Sequence, residues 1–190
     1  MLSTDKKVWT YDEYYKLNDG NQYEVINGEL KMVPAPDLSH QDISREIEFK
    51  IYNYINGLNL GKVYNAPVDV ILDEKLVVQP DLIFISKENF KILKRRGIFG
   101  SPDLIVEIIS KYSVKSDRHE KFKLYEKYLI KEYWIVDPSN KTIEAFYLEN
   151  NKYELFYFAD LENKILGSKV LEGLEISVDD IFITEEDITD

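Results

Sequence analysis

Two acidic residues of this sequence stand among apolar neighbours. Asp81 lies in the segment VVQPDLIFIS, and Glu107 lies in the middle of LIVEIIS. A carboxylate inside a buried strand is costly unless it is ion-paired, hydrogen-bonded or bound to a metal. Two such carboxylates on neighbouring strands could together bind a divalent cation, whereas the structural alternative is that each pairs with a lysine or marks a strand end. Alternation along LIVEIIS places Glu107 on the same face as Ile105 and Ile109.

A lysine in the next helical segment is predicted to face these acids. On a helical projection of about 100° per residue centred on Tyr125, which we expect in the core, Lys121 and Arg118 fall on the inward side. Lys123 and Lys127 fall on the outward side. A metal-dependent hydrolase needs an inward lysine near two acids, because the acids hold the cation and the lysine offsets developing negative charge. The alternative is a lysine that extends from the edge of the apolar stripe into solvent.

Three further residues could support the same site. Glu24 could be a third acid, although it also faces Lys31 across a tight turn and could form a cross-strand ion pair. His40 falls on the buried stripe of a long helix, where it either approaches the site or packs in the core. Asp117 is expected to cap its helix or to pair with Lys121 rather than to bind metal.

The charge of the chain is unevenly distributed. The net charge of −11 argues against a protein that coats nucleic acid or binds an anionic membrane surface. Residues 87–131, however, carry a net charge of +6. The basic residues proposed to contact a phosphodiester backbone are Lys91, Lys94, Arg95, Arg96 and Arg118. A basic rim around an acidic metal site would attract such a backbone, and a solvated charge run is the alternative.

Composition limits the chemistry further. The chain has no cysteine and only two histidines, which excludes thiolate metal sites, disulfides and cysteine nucleophiles. Asp and Glu must therefore supply most ligands of any metal site, and such oxygen ligands favour Mg²⁺ or Mn²⁺. No segment has the apolar length of a signal peptide or a membrane span, so we expect a cytoplasmic protein with no membrane association.

The elements that must position these residues follow an α+β pattern. We predict a capping box at Thr10, a hairpin at Asn27-Gly28, and a long helix capped by Ser39 that stops near Gly57. A second helix is predicted over 117–130. Strands are predicted near 63–72, 77–85, 103–109, 133–136, 142–148, 152–159 and 170–176. One mixed β-sheet flanked by helices fits this order, in a single domain over 1–190 whose residues 183–190 form a frayed acidic tail.

Several segments resemble one known family. PDLIFIS, SPDLIVEIIS and SDRHEKFKLYEKYLIKEYWIVDP, with YEVINGEL and VLEGLEISVDDIF nearer the two ends, resemble the Uma-type restriction endonuclease family of the PD-(D/E)xK nuclease superfamily. The resemblance implies a restriction-endonuclease-like fold, with Asp81 as the motif aspartate and Glu107 as the second acid. The superfamily lysine usually stands two residues after that acid, where this sequence has Ile109. The resemblance implies that Lys121 takes its role.

The residues and the resemblance together predict a Mg²⁺- or Mn²⁺-dependent endonuclease that hydrolyses DNA phosphodiester bonds with metal-activated water. The resemblance also implies a homodimer. The alternative is a nucleic-acid-binding or accessory module that retains the fold with little or no turnover, which the relocated lysine and the acidic surface would favour. A glycoside hydrolase would explain two carboxylates, but neither Lys121 nor the basic segment.

Overall fold

The computed structural model describes residues 7–17, 19–110 and 116–182. The helices in these ranges are α1 (Tyr11–Tyr14), α2 (Leu38–Leu58), α3 (Phe122–Lys127) and α4 (Val178–Ile181), with a 3₁₀ helix at Lys87–Ile92 and a π-helical turn at Ser116–Lys121. The strands are β1 (Tyr23–Ile26), β2 (Glu29–Met32), β3 (Gly61–Asn65), β4 (Val70–Asp73), β5 (Leu76–Val78), β6 (Leu82–Ser86), β7 (Leu93–Lys94), β8 (Gly97–Phe99), β9 (Leu104–Ile108), β10 (Glu132–Asp137), β11 (Thr142–Glu149), β12 (Lys152–Ala159), β13 (Ile165–Gly167) and β14 (Glu175–Ser177).

The main sheet has the strand order β12-β11-β10-β9-β6-β3. Strands β9 and β10 are parallel and the other neighbours are antiparallel, so the sheet is mixed as predicted. One face packs against α2, where Ile47 contacts the same apolar cluster as Val106. The opposite face packs against α3 through a second cluster that contains Ile105 and Tyr125. The predicted α+β architecture, with helices flanking a mixed sheet, is confirmed.

A second six-stranded sheet was not predicted. Its order is β2-β1-β5-β4-β8-β7, and it is built mainly from hairpins. Ile26 and Val78 of this sheet belong to the same buried cluster as Ile105 of the main sheet, so the two sheets share one core. The segment 86–102, between two of the predicted strands, contains a 3₁₀ helix and the β7–β8 hairpin, and β8 runs parallel to β4.

Gly97 allows this hairpin to approach the second sheet closely. Its φ is +150°, and a Cβ at this position would lie 2.7 Å from the Asp69 carbonyl oxygen. The amide of Ile98 donates a hydrogen bond of 2.8 Å to that carbonyl oxygen. A side chain at residue 97 would therefore separate the basic β7–β8 turn from the start of β4.

The predicted helix boundaries are correct in some places and wrong in others. The capping box of Thr10 with Glu13 is confirmed, as is the hairpin at Asn27-Gly28. Helix α2, however, is capped by Asp37 instead of Ser39, because the Asp37 carboxylate accepts a hydrogen bond of 2.8 Å from the amide of residue 40. It ends beyond Gly57, since Asn59 adopts the left-handed conformation that closes the last turn.

Two predictions near the C-terminal half also need correction. The helix predicted over 117–130 begins as a π-helical turn and ends at Lys127. The strand predicted near 170–176 is found only as the short strand β14, which pairs with β13. The acidic tail predicted at 183–190 lies outside the described residues. No helix in the described ranges is long and apolar enough to cross a membrane.

Candidate active site

Four elements bring the predicted site residues together. Glu24 lies on β1 of the second sheet, Asp81 directly precedes β6, Glu107 lies on β9, and Lys121 ends the π-helical turn. The antiparallel pairing of β6 with β9 brings Asp81 beside the end of β9, where its Oδ2 accepts a hydrogen bond of 2.7 Å from the amide of Ile108. Asp81, one residue before β6, and Glu107, on the neighbouring strand β9, therefore lie close together, as the sequence leads us to expect.

Lys121 is the centre of this group. Its Nζ lies 3.0 Å from Glu24 Oε1, 3.0 Å from Glu107 Oε1 and 3.7 Å from Asp117 Oδ1. The lysine is only 7% exposed, so the alternative of a side chain that extends into solvent is wrong. Glu24 and Lys31 do stand opposite each other on β1 and β2, but Lys31 pairs with another acid, so the expected cross-strand ion pair is also wrong.

Glu107 accepts a hydrogen bond from Tyr125, and burial and nearby charges set its ionisation. The Tyr125 hydroxyl donates a hydrogen bond of 2.6 Å to Glu107 Oε1. Burial raises the pKa of Glu107; the charge of Lys121 opposes this rise, and the nearby carboxylates of Asp117, Asp81 and Glu24 add to it. Burial by itself would lower the pKa of Lys121, but the charges of Glu107, Glu24 and Asp117 outweigh it, and the pKa lies well above its usual value. The lysine therefore keeps its charge.

His40 approaches the site from the first turn of α2. Its Nε2 lies 3.3 Å from Asp81 Oδ2 and 3.2 Å from the carbonyl oxygen of Ile108. Burial lowers the pKa of His40, whereas its hydrogen bond to Asp81 and the charge of that carboxylate raise it, with a net rise. Of the two readings of His40 in the sequence, the structure favours the one in which it borders the acids.

The acids can fit a hard divalent cation. Lys121 and Tyr125 both contact Oε1 of Glu107, while His40 and a backbone amide both contact Oδ2 of Asp81. The second oxygen of each carboxylate carries none of these contacts. No group of three or more His, Asp or Glu side chains within the described ranges forms a ready-made metal cluster. Mg²⁺ is commonly held by one or two carboxylates together with waters and substrate phosphates, so two acids are sufficient.

The predicted basic residues divide into two groups. Those on the 3₁₀ helix and at the β7–β8 turn are exposed: Lys91, Lys94, Arg95 and Arg96. Arg118 instead pairs with Asp137, at 3.3 Å, and with Glu144. Arg118 is therefore already paired with acids of the chain, whereas none of the ion pairs found among the described residues involves the four residues of the first group.

Gln79 is a site residue that the sequence reasoning missed. Its amide donates a hydrogen bond of 3.0 Å to Glu24 Oε1, and its side-chain nitrogen donates one of 2.9 Å to Asp69 Oδ1. The sequence feature that could have identified Gln79 is its position two residues before Asp81, because residues two apart in an extended segment point to the same face. Asp103, the second aspartate that follows a proline, pairs with Lys131 at 2.7 Å.

A family model described as "Putative restriction endonuclease" matches residues 10–179 of the chain. The chain belongs to this family, Uma2. The crystal structure of "a putative nuclease belonging to DUF820" from Anabaena variabilis ATCC 29413 is similar, with a TM-score of 0.75 and 19% sequence identity over 91% of this chain and 97% of that one. No curated protein matches the sequence. The Uma2 match supports a nuclease function, and the structural match shows the fold.

Proposed function

We propose that this Uma2 family member is a Mg²⁺- or Mn²⁺-dependent endonuclease that hydrolyses DNA phosphodiester bonds. One observation carries the proposal: the buried Lys121 lies 3.0 Å from both Glu24 and Glu107, which come from two other elements, and Asp81 is close enough for its charge to act on Glu107. Charges are rarely gathered in a protein interior unless they have a function or a strong structural need.

Asp81 and Glu107 would each hold the cation through one carboxylate oxygen. For Glu107 this is the oxygen that Tyr125 and Lys121 do not contact, and for Asp81 it is the oxygen that His40 and the backbone do not contact. When bound, the cation would polarise the phosphate and lower the pKa of a bound water. Tyr125 and the amide of Ile108 fix the orientation of the two carboxylates, so the acids do not need to reorganise when substrate binds.

Lys121 would supply positive charge to the phosphate as negative charge accumulates on its oxygens. Because Lys121 also pairs with Glu24 and Glu107, those contacts hold it close to the reacting group before the substrate arrives. The exposed cations Lys94, Arg95 and Arg96 would contact the DNA backbone, which positions the strand without reading its sequence. A homodimer would allow two such sites to cut both strands of a duplex, and sedimentation would measure it.

Nicking of supercoiled plasmid in Mg²⁺ or Mn²⁺ tests the proposal. Asp81→Asn and Glu107→Gln should each abolish nicking, because each removes a charged cation ligand. Glu132→Gln is the matched control, since Glu132 is also a buried strand carboxylate, but its hydrogen-bond partners are Trp134 and the backbone of 169 and 170. Nicking that persists in the two site variants and disappears only in EDTA would overturn the site assignment.

A binding module without turnover is the second candidate. The observation that favours it is that Lys121 already neutralises part of the charge of Glu24 and Glu107, and so competes with a cation. Calorimetry with Mn²⁺ separates the two candidates. Heat of binding that vanishes in Asp81→Asn and Glu107→Gln supports the nuclease, whereas DNA binding without any cation binding supports the module.

A further inference from the structure

A cavity of about 530 Å³ lies next to the acid cluster, and the acid chemistry does not use it. It lies between the β3–β4 connection, the β7–β8 turn and helix α1. Tyr14 and Tyr64 contribute aromatic rings, Asp69 and Gln79 contribute polar groups, and Arg95 and Arg96 contribute cations. A volume of this size lies in the range of pockets that bind small organic ligands.

Gln79 joins this cavity to the acid cluster. Its backbone amide binds Glu24 Oε1, while its side-chain nitrogen binds Asp69 Oδ1 at 2.9 Å and the Tyr14 hydroxyl at 3.2 Å. The Tyr14 hydroxyl also donates a hydrogen bond of 3.0 Å to Asp69 Oδ1. These three mutual contacts fix the polar wall of the cavity. Gln79 and Asp81 are two residues of extended chain apart, or about 7 Å.

The lining contains the groups that recognise a single unstacked nucleotide. Aromatic rings stack on the face of any base, amide and carboxylate groups hydrogen-bond to base edges, and arginines bind phosphate. Arg96 is held near the cavity by its own stacking on the Tyr15 ring, 4.6 Å from the ring centroid. Arg95 and Arg96 are exposed, so both guanidinium groups are accessible to a phosphate.

We propose that this cavity binds one unstacked nucleotide of the substrate strand, adjacent to the phosphate held at the acid cluster. The inference rests on the proposed nuclease function, since it assigns the substrate's neighbouring nucleotide to the cavity. Extruding a base from a duplex costs free energy, and the cost is smallest at mismatched or single-stranded positions. The enzyme should therefore cut single-stranded, mismatched or end-frayed DNA faster than a perfect duplex of the same sequence.

Titration of the full chain with dAMP, dCMP, dGMP and TMP in EDTA tests the cavity without requiring catalysis. Arg95→Glu/Arg96→Glu should weaken mononucleotide binding by about tenfold or more, because both charge-assisted contacts become repulsive. Lys123→Glu/Lys127→Glu makes the same change of charge on the exposed side of α3 and should bind as the parent does. Inorganic phosphate should bind about tenfold more weakly than the best mononucleotide, because it lacks the stacked base.

A cross-linking experiment locates the base. A single-stranded oligonucleotide carrying 5-iodo-deoxyuridine, irradiated with the protein in EDTA, should cross-link to Tyr14 or Tyr64. The inference would be overturned if the cross-links formed only at other residues, or if phosphate and mononucleotides bound with equal affinity. It would also be overturned if no mononucleotide bound in the millimolar range, or if both double variants weakened binding equally.

Plasmid nicking measured on the same samples separates this inference from the proposed function. If the protein nicks plasmid but fails the nucleotide and cross-linking tests, the cavity inference falls and the nuclease stands. If nucleotides bind and cross-link at the cavity but plasmid is never cut with either metal, the proposed catalytic function falls, and with it the assignment of the nucleotide to a substrate strand.

Discussion

Replacing Lys121 by methionine should destabilise the metal-free protein by about 3–5 kcal/mol at neutral pH, the usual loss when one partner of a buried ion pair is removed. The lysine is 7% exposed and lies 3.0 Å from two carboxylates and 3.7 Å from a third. Methionine retains much of the buried aliphatic volume, so the change removes mainly the charge. Without that charge, Glu24 and Glu107 lie buried next to other acids with no cation.

The loss should depend on pH in a defined direction. Burial and the neighbouring acids already raise the pKa of Glu107 above its usual value of 4.5, and removal of Lys121 should raise it further. A carboxyl group whose pKa is higher in the folded state binds more protons there, so its contribution to stability is full below the unfolded pKa and falls as pH rises through the folded pKa. The slope is at most about 1.4 kcal/mol per pH unit for one proton. The difference between parent and variant should therefore widen from acidic to neutral pH.

Urea unfolding followed by tryptophan fluorescence, in EDTA at a series of pH values, measures this difference. The expected loss corresponds to a fall in Tm of about 6–20 °C for a chain of this size. Lys164→Met is the control, because Lys164 and Asp179 form a 2.7 Å ion pair in which both side chains are 50% exposed, and its loss should stay below about 1 kcal/mol.

Mn²⁺ should recover part of the stability of Lys121→Met, since a cation that binds only the folded state stabilises it. A loss at neutral pH as small as the control's, or one of equal size at every pH, would refute the reasoning.

Three further changes test other contacts of the fold and site. Tyr125→Phe removes the 2.6 Å hydrogen bond to Glu107 and should lower the free energy of unfolding by about 1–3 kcal/mol at neutral pH and less in acid; urea titrations that show no pH effect would contradict this. Glu132→Gln weakens an acceptor that binds Trp134 Nε1 at 2.6 Å and two backbone amides, so its thermal midpoint should fall, and an unchanged midpoint would argue against a structural role. Leu129→Gly should raise the free energy of unfolding by about 0.5–1 kcal/mol, because Leu129 is exposed and has a φ of 57°, which glycine adopts with less strain. If calorimetry shows a lower free energy of unfolding, the packing of the leucine outweighs the backbone strain.

The faces of the strand residues could be predicted because strand alternation has a fixed period. Glu107 shares its side of the sheet with Ile105 and Ile109, and these belong to the cluster that packs against Tyr125, as the alternation predicts. The inward direction of Lys121 was also predicted, although the projection assumed a regular α-helix and the residue ends a π-helical turn. Its position four residues before Tyr125 keeps it on the inward side, since residues four apart share a helix face.

The partner of Glu24 could not be predicted from local sequence. Its position opposite Lys31 was correct, but its contacts with Lys121 and Gln79 depend on how the second sheet packs against the main one. That packing arises from contacts between residues distant in sequence, which no local pattern encodes. The N-cap of α2 shows the same limit at short range, because Asp37 and Ser39 are both good capping residues and only the final backbone geometry selects Asp37.

Lys121 connects assembly of the charge cluster to folding of the chain. A lysine at residue 109, two positions after Glu107, would directly follow the strand that carries the acid, whereas here Ile109 fills that position as part of the buried core. Lys121 reaches the same acid from the π-helical turn, so its position depends on the packing of α3 against the sheet through Tyr125. Loss of that packing would separate the ammonium group of Lys121 from the acids, whereas strands β6 and β9 would stay paired. The complete charge cluster therefore requires α3 to be packed against the sheet.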